Sequence, residues 1–227
     1  MEQNRHRLRM PDLMESIFDI GYLCFAIGTG IYLLSTGVGE LSLIGGALAL
    51  VLGLGDAFHL VPRVVRALKG TGAHTEAALG AGLFVSSITM TLFYLLLYEF
   101  WRCEFPDLSA GVPAILPVLL FSSALFRIII CLFPQNNWLH HEGNRFFSLL
   151  RNIPFAITGL VLVILFALSG NADGHHMERM SIAIIISFAC YFPVTLFAKK
   201  HPMVGMLMIP KTCAYIWMLV MLKAAAL

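Results

Sequence analysis

The sequence predicts an all-α integral membrane protein, a bundle of seven transmembrane helices that forms one domain over residues 1–227. Three observations support this fold class. The 227-residue chain is 59% hydrophobic and only 12% charged, whereas soluble domains carry about 25% charged residues. Its apolar residues fall into seven stretches that reach the roughly 20 residues a helix needs to cross a bilayer. Residues that favour turns separate these stretches.

The seven predicted helices follow one another with short connections. They cover residues 13–35, 42–68, 76–100, 112–133, 148–169, 179–198 and 203–223. The first follows a basic N-terminus, as in a signal peptide, but it contains Asp19 and lacks a small-residue cleavage site, so we expect it to be retained. An odd number of helices is compatible with a 3+1+3 arrangement. Helices 2 and 6 each carry a proline before a basic end, which favours a parallel repeat of the first and last three helices.

Basic residues are distributed unevenly between the two predicted membrane sides. One side has ten of them: Arg5, Arg7, Arg9, Arg63, Arg66, Lys69, Arg145, Arg151, Lys199 and Lys200; the other has Arg102, Arg179 and Lys223. The positive-inside rule therefore predicts a cytoplasmic N-terminus and an external C-terminus, and we expect a bacterial inner (plasma) membrane. Trp101 and Trp138 lie near predicted helix ends, where interfacial aromatic residues occur. The net charge of +2 is too small to indicate nucleic acid as a partner.

Four charged residues lie inside the predicted helices, at similar depth on the cytoplasmic side. A rise of 1.5 Å per residue places Asp19 and Arg127 about 9 Å deep, Asp56 about 10 Å and Lys211 about 12 Å. A charged side chain in the bilayer costs roughly 2.5–3.5 kcal/mol, so these residues need partners or a polar cavity. We expect them to form one polar site that opens to the cytoplasmic leaflet.

Other polar residues share helix faces with these charges. His59 follows Asp56 by three residues and Tyr215 follows Lys211 by four, and such pairs face the same side of a helix. The sequence therefore suggests catalytic roles for Asp56 and His59. Residues suited to bind a substrate are Asp19, Arg127, Lys211 and Tyr215, and also Asn136 and Asn152, which lie in and after the amide-rich connection PQNNWLHHEGN.

Two other interpretations of these residues stay open at this stage. Two ion pairs, Asp56 with Arg127 and Asp19 with Lys211, would simply hold the helices together, although buried ion pairs are weak evidence for stability. A metal ion would need Asp56, His59 and one of His140 or His141. No helix carries an HxxxH or HExxH motif, so we expect no metal site, and nothing in the sequence indicates a cofactor.

The segments GDAFHLVPR (55–63) and GAGLFVSSITMTLFYLLLYEF (80–100) resemble the membrane lysoplasmalogenase family. That family has Gly-Asp at the end of one helix and Gly-Leu, a polar position and a tyrosine in the next. The matching residues here are Gly55, Asp56, Gly82, Leu83, Ser86 and Tyr94. The resemblance implies hydrolysis of the vinyl ether bond of lysoplasmalogens by two acids that act on water, with Asp56 as one of them. The family's second acid, near Ala189 and Cys190, has no counterpart in this sequence.

The sequence supports three functional hypotheses. A lipid-processing hydrolase would use Asp56 as acid or base on a membrane lipid, and both the depth of the charges and the resemblance favour it. A small-solute or proton-coupled transporter would line a gated cavity with the same acids and Lys211, with prolines bending the helices. A receptor-like or partner-binding subunit would use the charges without catalysis. The sequence does not indicate an oligomeric state.

Overall fold

The computed structural model describes residues 10–70, 73–139, 144–170, 172, 174, 176–198 and 201–227. Several residues used above lie outside these ranges: Arg5, Arg7, Arg9, His140, His141, Lys199 and Lys200. The count of basic residues on each membrane side depends on five of them, and the alternative metal site depends on the two histidines. Both therefore stay predictions.

Within the described residues the chain forms eight α-helices. They are α1 Met10–Thr36, α2 Glu40–Lys69, α3 Ala73–Glu104, α4 Pro106–Gly111, α5 Ile115–Leu132, α6 Arg145–Ser169, α7 Arg179–Phe197 and α8 Met208–Ala226. All except the six-residue α4 are long and apolar enough to cross a membrane. The described ranges contain no β-strand. The predicted fold class, an all-α bundle with seven membrane-spanning helices, is confirmed.

The spanning helices form a closed ring. α1, α2 and α3 pack side by side in chain order, as do α5, α6, α7 and α8, and α3 joins the two groups through α5 and α6. α8 packs against α1 and α2 and closes the ring. Because the connections are short, α2, α5 and α7 end, and α3, α6 and α8 begin, at the end of the bundle where α1 begins. We call this end the N-terminal face.

Glycines allow α2 and α3 to approach each other closely. A methyl group on Gly82 of α3 would collide with the backbone of Phe58 and would lie 2.7 Å from the Cα of His59. A methyl group on Gly55 of α2 would collide with the side chain of Thr89 on α3. Pro62 inside α2 cannot donate to the carbonyl of Phe58, and Gly82 packs directly against that carbonyl. The close approach matters for function because it brings Ser86 on α3 to Asp56 on α2.

Trp101 differs from its sequence prediction. Only 1% of its surface is exposed, and its indole N–H donates to Ser169 Oγ on α6 at 2.7 Å. The residue belongs to the buried core that α3 supplies together with Phe93, Tyr94 and Phe100. Its position near a helix end is compatible with an interfacial role, but it faces the neighbouring helices.

The last predicted helix begins later than expected. Residues 202–207 form a 3-10 helix, and α8 starts only at Met208. Pro210 lies in the first turn of α8, where proline is tolerated because the N–H groups of that turn have no partner within the helix. Lys211 therefore lies one turn from the beginning of α8, near the N-terminal face.

Candidate functional site

A cavity opens near the N-terminal face between α1, α2 and α8. Its volume, counted as the space that the centre of a water molecule can occupy, is about 20 Å³. A cavity of this volume can hold an ordered water. Six of its lining residues are ionisable: Glu15, Asp19, Asp56, His59, Arg63 and Lys211. Four of the eight predicted site residues, Asp19, Asp56, His59 and Lys211, thus meet in one place.

Asp56 is held by hydroxyl groups from two neighbouring helices. Its Oδ2 accepts a hydrogen bond of 2.8 Å from Tyr22 Oη on α1, and its Oδ1 accepts one of 3.1 Å from Ser86 Oγ on α3. Only 5% of Asp56 is exposed. The carboxylate is therefore fixed as a hydrogen-bond acceptor at the point where three helices meet.

Two other side-chain atoms of residues that line the cavity are buried and have no hydrogen-bond partner among the described residues. They are Oδ2 of Asp19 and Nδ1 of His59; the latter lies 3.9 Å from Asp56 Oδ1, beyond hydrogen-bond distance. Buried polar atoms in folded proteins nearly always have partners, and an exception needs an explanation. Because both residues line the cavity, a bound water or ligand is the simplest source of the two missing contacts.

Lys211 occupies the inner side of the cavity. Its Nζ lies 5.3 Å from the centre of the Tyr191 ring and 5.2 Å from that of Tyr215. Within the described chain no carboxylate is within ion-pair distance of this amine. Tyr215, which is itself buried, lies next to Lys211 with its hydroxyl oxygen 3.4 Å from that of Tyr94.

An ion pair between Arg63 and Glu15 joins α2 to α1 at the cavity. Both side chains are partly exposed. The two ion pairs considered from the sequence, Asp56 with Arg127 and Asp19 with Lys211, do not form between these described residues. The interpretation in which these two ion pairs simply hold the helices together therefore lacks the contacts on which it depends.

Arg127 does not line the cavity. Its guanidinium carbon lies 3.4 Å from the centre of the Phe155 ring on α6, and the residue is close enough to Lys211 to interact with it electrostatically. Of the four charges predicted inside the membrane, Asp19, Asp56 and Lys211 thus line the cavity and Arg127 lies behind Lys211.

The two predicted amide residues have partners within the protein. Asn136 donates to the carbonyls of Ile130 at 2.7 Å and Phe133 at 2.9 Å, so it caps the end of α5. Its own side-chain oxygen accepts from Arg151 at 3.0 Å. Asn152 accepts from Tyr191 Oη at 2.9 Å and joins α6 to α7.

Sequence reasoning did not single out Tyr22 or Glu15. Glu15, Asp19 and Tyr22 follow one another at spacings of four and three residues, so they share one face of α1. This polar stripe in an otherwise apolar helix was the available signal. It was not recognised because Asp19 alone met the criterion of a charge deep inside a predicted span.

Comparison of the chain with models of protein families, with curated proteins and with solved structures gives no match. Among the described residues, no three His, Cys, Asp or Glu side chains converge in a way that would hold a metal ion. What the geometry offers is acid–base chemistry: besides the paired Glu15 and Arg63, two carboxylates, an imidazole and an amine line a space large enough for a water molecule. Such groups can move protons at a substrate that enters the cavity.

Proposed function

We propose that the protein is an integral membrane hydrolase that acts on lipids, with Asp56 as its acid–base residue. The observation that carries this proposal is the environment of Asp56: a buried carboxylate oriented by Tyr22 and Ser86 at a water-sized cavity. A carboxylate held in this way is suited to accept a proton from water. The resemblance to membrane lysoplasmalogenases, which rests on the motif containing Asp56, favours the same residue.

Asp19 is proposed as the second acid. The resemblance implies two acids, and Asp19 on α1 lines the same cavity as Asp56 with one carboxylate oxygen unpartnered. Hydrolysis of a vinyl ether consumes one water molecule. One acid gives a proton to the double-bond carbon remote from the ether oxygen, and the other residue takes a proton from water as the water oxygen attacks the carbon bonded to the ether oxygen. The resulting hemiacetal then separates into an alcohol and an aldehyde.

His59 and Lys211 complete the proposed site. His59 presents an unpartnered Nδ1 beside Asp56, so it can receive or return a proton during turnover. Lys211 lines the same cavity as the two acids and would bring a positive charge to the part of the substrate that carries negative charge. Positive charge placed where negative charge develops is an effective way to lower a barrier.

The surroundings of the cavity suit an amphipathic substrate. Its apolar lining residues are Phe18, Leu60, Met208 and Ile209. Ile209 is exposed, and so is Phe58, which precedes His59 in α2. A lysolipid is therefore a better match than a small polar solute, because its chain can stay among the bilayer lipids while its polar part reaches the acids.

The decisive experiment replaces Asp56 by Asn in the full-length purified protein and measures hydrolysis of a panel of lysolipids, vinyl ether species included. We expect turnover to fall by about 10²–10⁴-fold, the usual contribution of a positioned acid–base group. Asp107→Asn is the matched control because Asp107 is exposed in α4, outside the spanning helices.

Unchanged turnover in Asp56→Asn would remove the proposed role. If the wild-type protein hydrolyses no member of the panel but carries a solute into proteoliposomes in an Asp56-dependent manner, the transporter hypothesis replaces the hydrolase.

A further inference from the structure

Within the part of the chain that the structure describes, Arg127 is a buried cation without a counter-ion. Only 2% of it is exposed, and among the same residues Nε and one of its terminal nitrogens have no hydrogen-bond partner. Three arginines nearer the surface, Arg63, Arg66 and Arg102, each pair with a glutamate. The charge that is hardest to bury is therefore one that the described protein leaves unpaired.

Among the described residues, Arg127 has cations near it but no carboxylate within ion-pair distance, and Lys211 on α8 is close enough to interact with it electrostatically. Arg151 on α6 is close enough to act on it electrostatically, and this second guanidinium lies 4.3 Å from the centre of the Trp138 ring. From Ile115 onward, the described residues include one acid, Glu178, at the opposite end of the bundle. Glu142 and Asp173 lie outside the described ranges.

The Phe155 ring does not replace the missing anion. It lies against the flat face of the guanidinium, and a ring in that position attracts a cation. The N–H groups, however, point outward in the plane of the guanidinium. Nε and the terminal nitrogen therefore still need an acceptor, and an arginine in a protein does not lose its proton to escape that need.

We propose that Arg127 binds a phosphate group between α5 and α6, with Arg151 adding to the positive potential. The planar fork of arginine donors matches the oxygens of phosphate, and a phosphate brings the negative charge that the described residues around Arg127 lack. Binding requires the packed side chains around Nε to move apart. Arg127 does not line the cavity at Asp56, so phosphate binding does not depend on the proposed hydrolase activity.

The phosphate can come from the headgroup of an anionic glycerophospholipid or from free inorganic phosphate. Both present the same oxygens to Arg127, and they differ in whether acyl chains must lie along α5 and α6. Exposed apolar residues on these helices, Leu125, Phe126, Ile129 and Ile153 among them, offer such a surface.

The test measures thermal unfolding of the full-length protein in a neutral detergent. Three additions are compared at equal ionic strength: sodium phosphate, phosphatidylglycerol, and phosphatidylcholine as the lipid without net charge. The wild-type melting temperature should rise by about 5 °C or more with at least one phosphate source present well above its Kd. Arg127→Gln should lose this rise. Arg102→Gln, which removes an exposed and paired arginine, should keep it.

Comparison of the three additions identifies the source of the bound phosphate. A rise with sodium phosphate indicates a site for the free anion, and a rise with phosphatidylglycerol alone indicates a lipid headgroup. If Arg127→Gln cannot be purified, Arg127→Lys decides, because it keeps the charge and loses the fork; the rise should shrink by at least half.

Three results would overturn the proposal. The first is a melting temperature that rises with neither sodium phosphate nor phosphatidylglycerol, and the second is an equal rise in the wild type and the Arg127 variants. The third is a wild-type protein that does not respond to these additions but is destabilised by Glu142→Gln. The last result would identify Glu142 as the counter-ion.

Discussion

Asp56 accepts hydrogen bonds from α1 and α3 while it belongs to α2, so one carboxylate connects three helices. The sequence alone singles it out as a candidate site residue, since an acid deep in an apolar span is a functional-site hypothesis by default. Its partners were harder to predict. Ser86 lies in a helix with several hydroxyl side chains, and Tyr22 in α1 looks like any aromatic core residue until its hydroxyl is seen to reach Asp56.

Tyr22→Phe removes one of these hydrogen bonds and leaves the ring in place. Hydrogen bonds between membrane helices contribute about 0.6 kcal/mol on average and up to about 1.7 kcal/mol, and a bond to a buried carboxylate belongs at the upper end. We expect the free energy of unfolding in detergent to fall by about 1–1.7 kcal/mol. Tyr32→Phe on the same helix, where the tyrosine is exposed, should change it by less than about 0.5 kcal/mol. Equal effects of the two variants would contradict this view of Tyr22.

α2 and α3 show what hydrophobic patterning can and cannot reveal about an element. α3 extends about one turn beyond each end of the predicted span 76–100, because polar and charged residues such as His74, Arg102 and Glu104 continue the helix outside the apolar stretch. Composition alone indicates that a membrane-spanning helix is present. The closeness of α2 and α3 depends on two glycines whose importance appears only when the partner backbone is known.

Gly82→Ala places a methyl group against the backbone at Phe58 and His59. Neither neighbour can rotate out of the way, so the helices must separate, and overpacking of this kind costs about 1–3 kcal/mol. The separation should also weaken the bond from Ser86 to Asp56 and lower any Asp56-dependent turnover. Gly21→Ala, at a position with open space around it, serves as the control and should leave stability unchanged or slightly higher. A Gly82→Ala protein as stable as Gly21→Ala would exclude this packing argument.

The four buried charges of the described residues lie on four different helices of the bundle. The buried acids lie in α1 and α2, whereas the buried cations lie in α5 and α8. The position of a residue along its helix follows from residue number at a fixed rise per residue. Its lateral position does not, because it depends on which helices become neighbours and how each is rotated. For this reason Asp19, Asp56 and Lys211 meet as expected and Arg127 does not.

The predicted orientation, with the N-terminal face toward the cytoplasm, can be tested on the whole molecule. The prediction rests on the excess of basic residues on that side. In a bacterial host, a C-terminal alkaline phosphatase fusion should be active and a C-terminal green fluorescent protein fusion dark. A fusion after Gly70, in the connection between α2 and α3, should give the reverse result. The same result at both positions would contradict seven spans, and the two results exchanged would invert the orientation.

The cavity is built from α1, α2 and α8, the first two and the last of the spanning helices. During synthesis Asp19 and Asp56 therefore enter the bilayer well before the helix that carries Lys211 has left the ribosome. Until then, the two acids must be sheltered by the insertion machinery or by water. A protein made without α8 would contain both acids and no finished site, so a quality-control protease could recognise it by the polar surface that the missing helix normally covers.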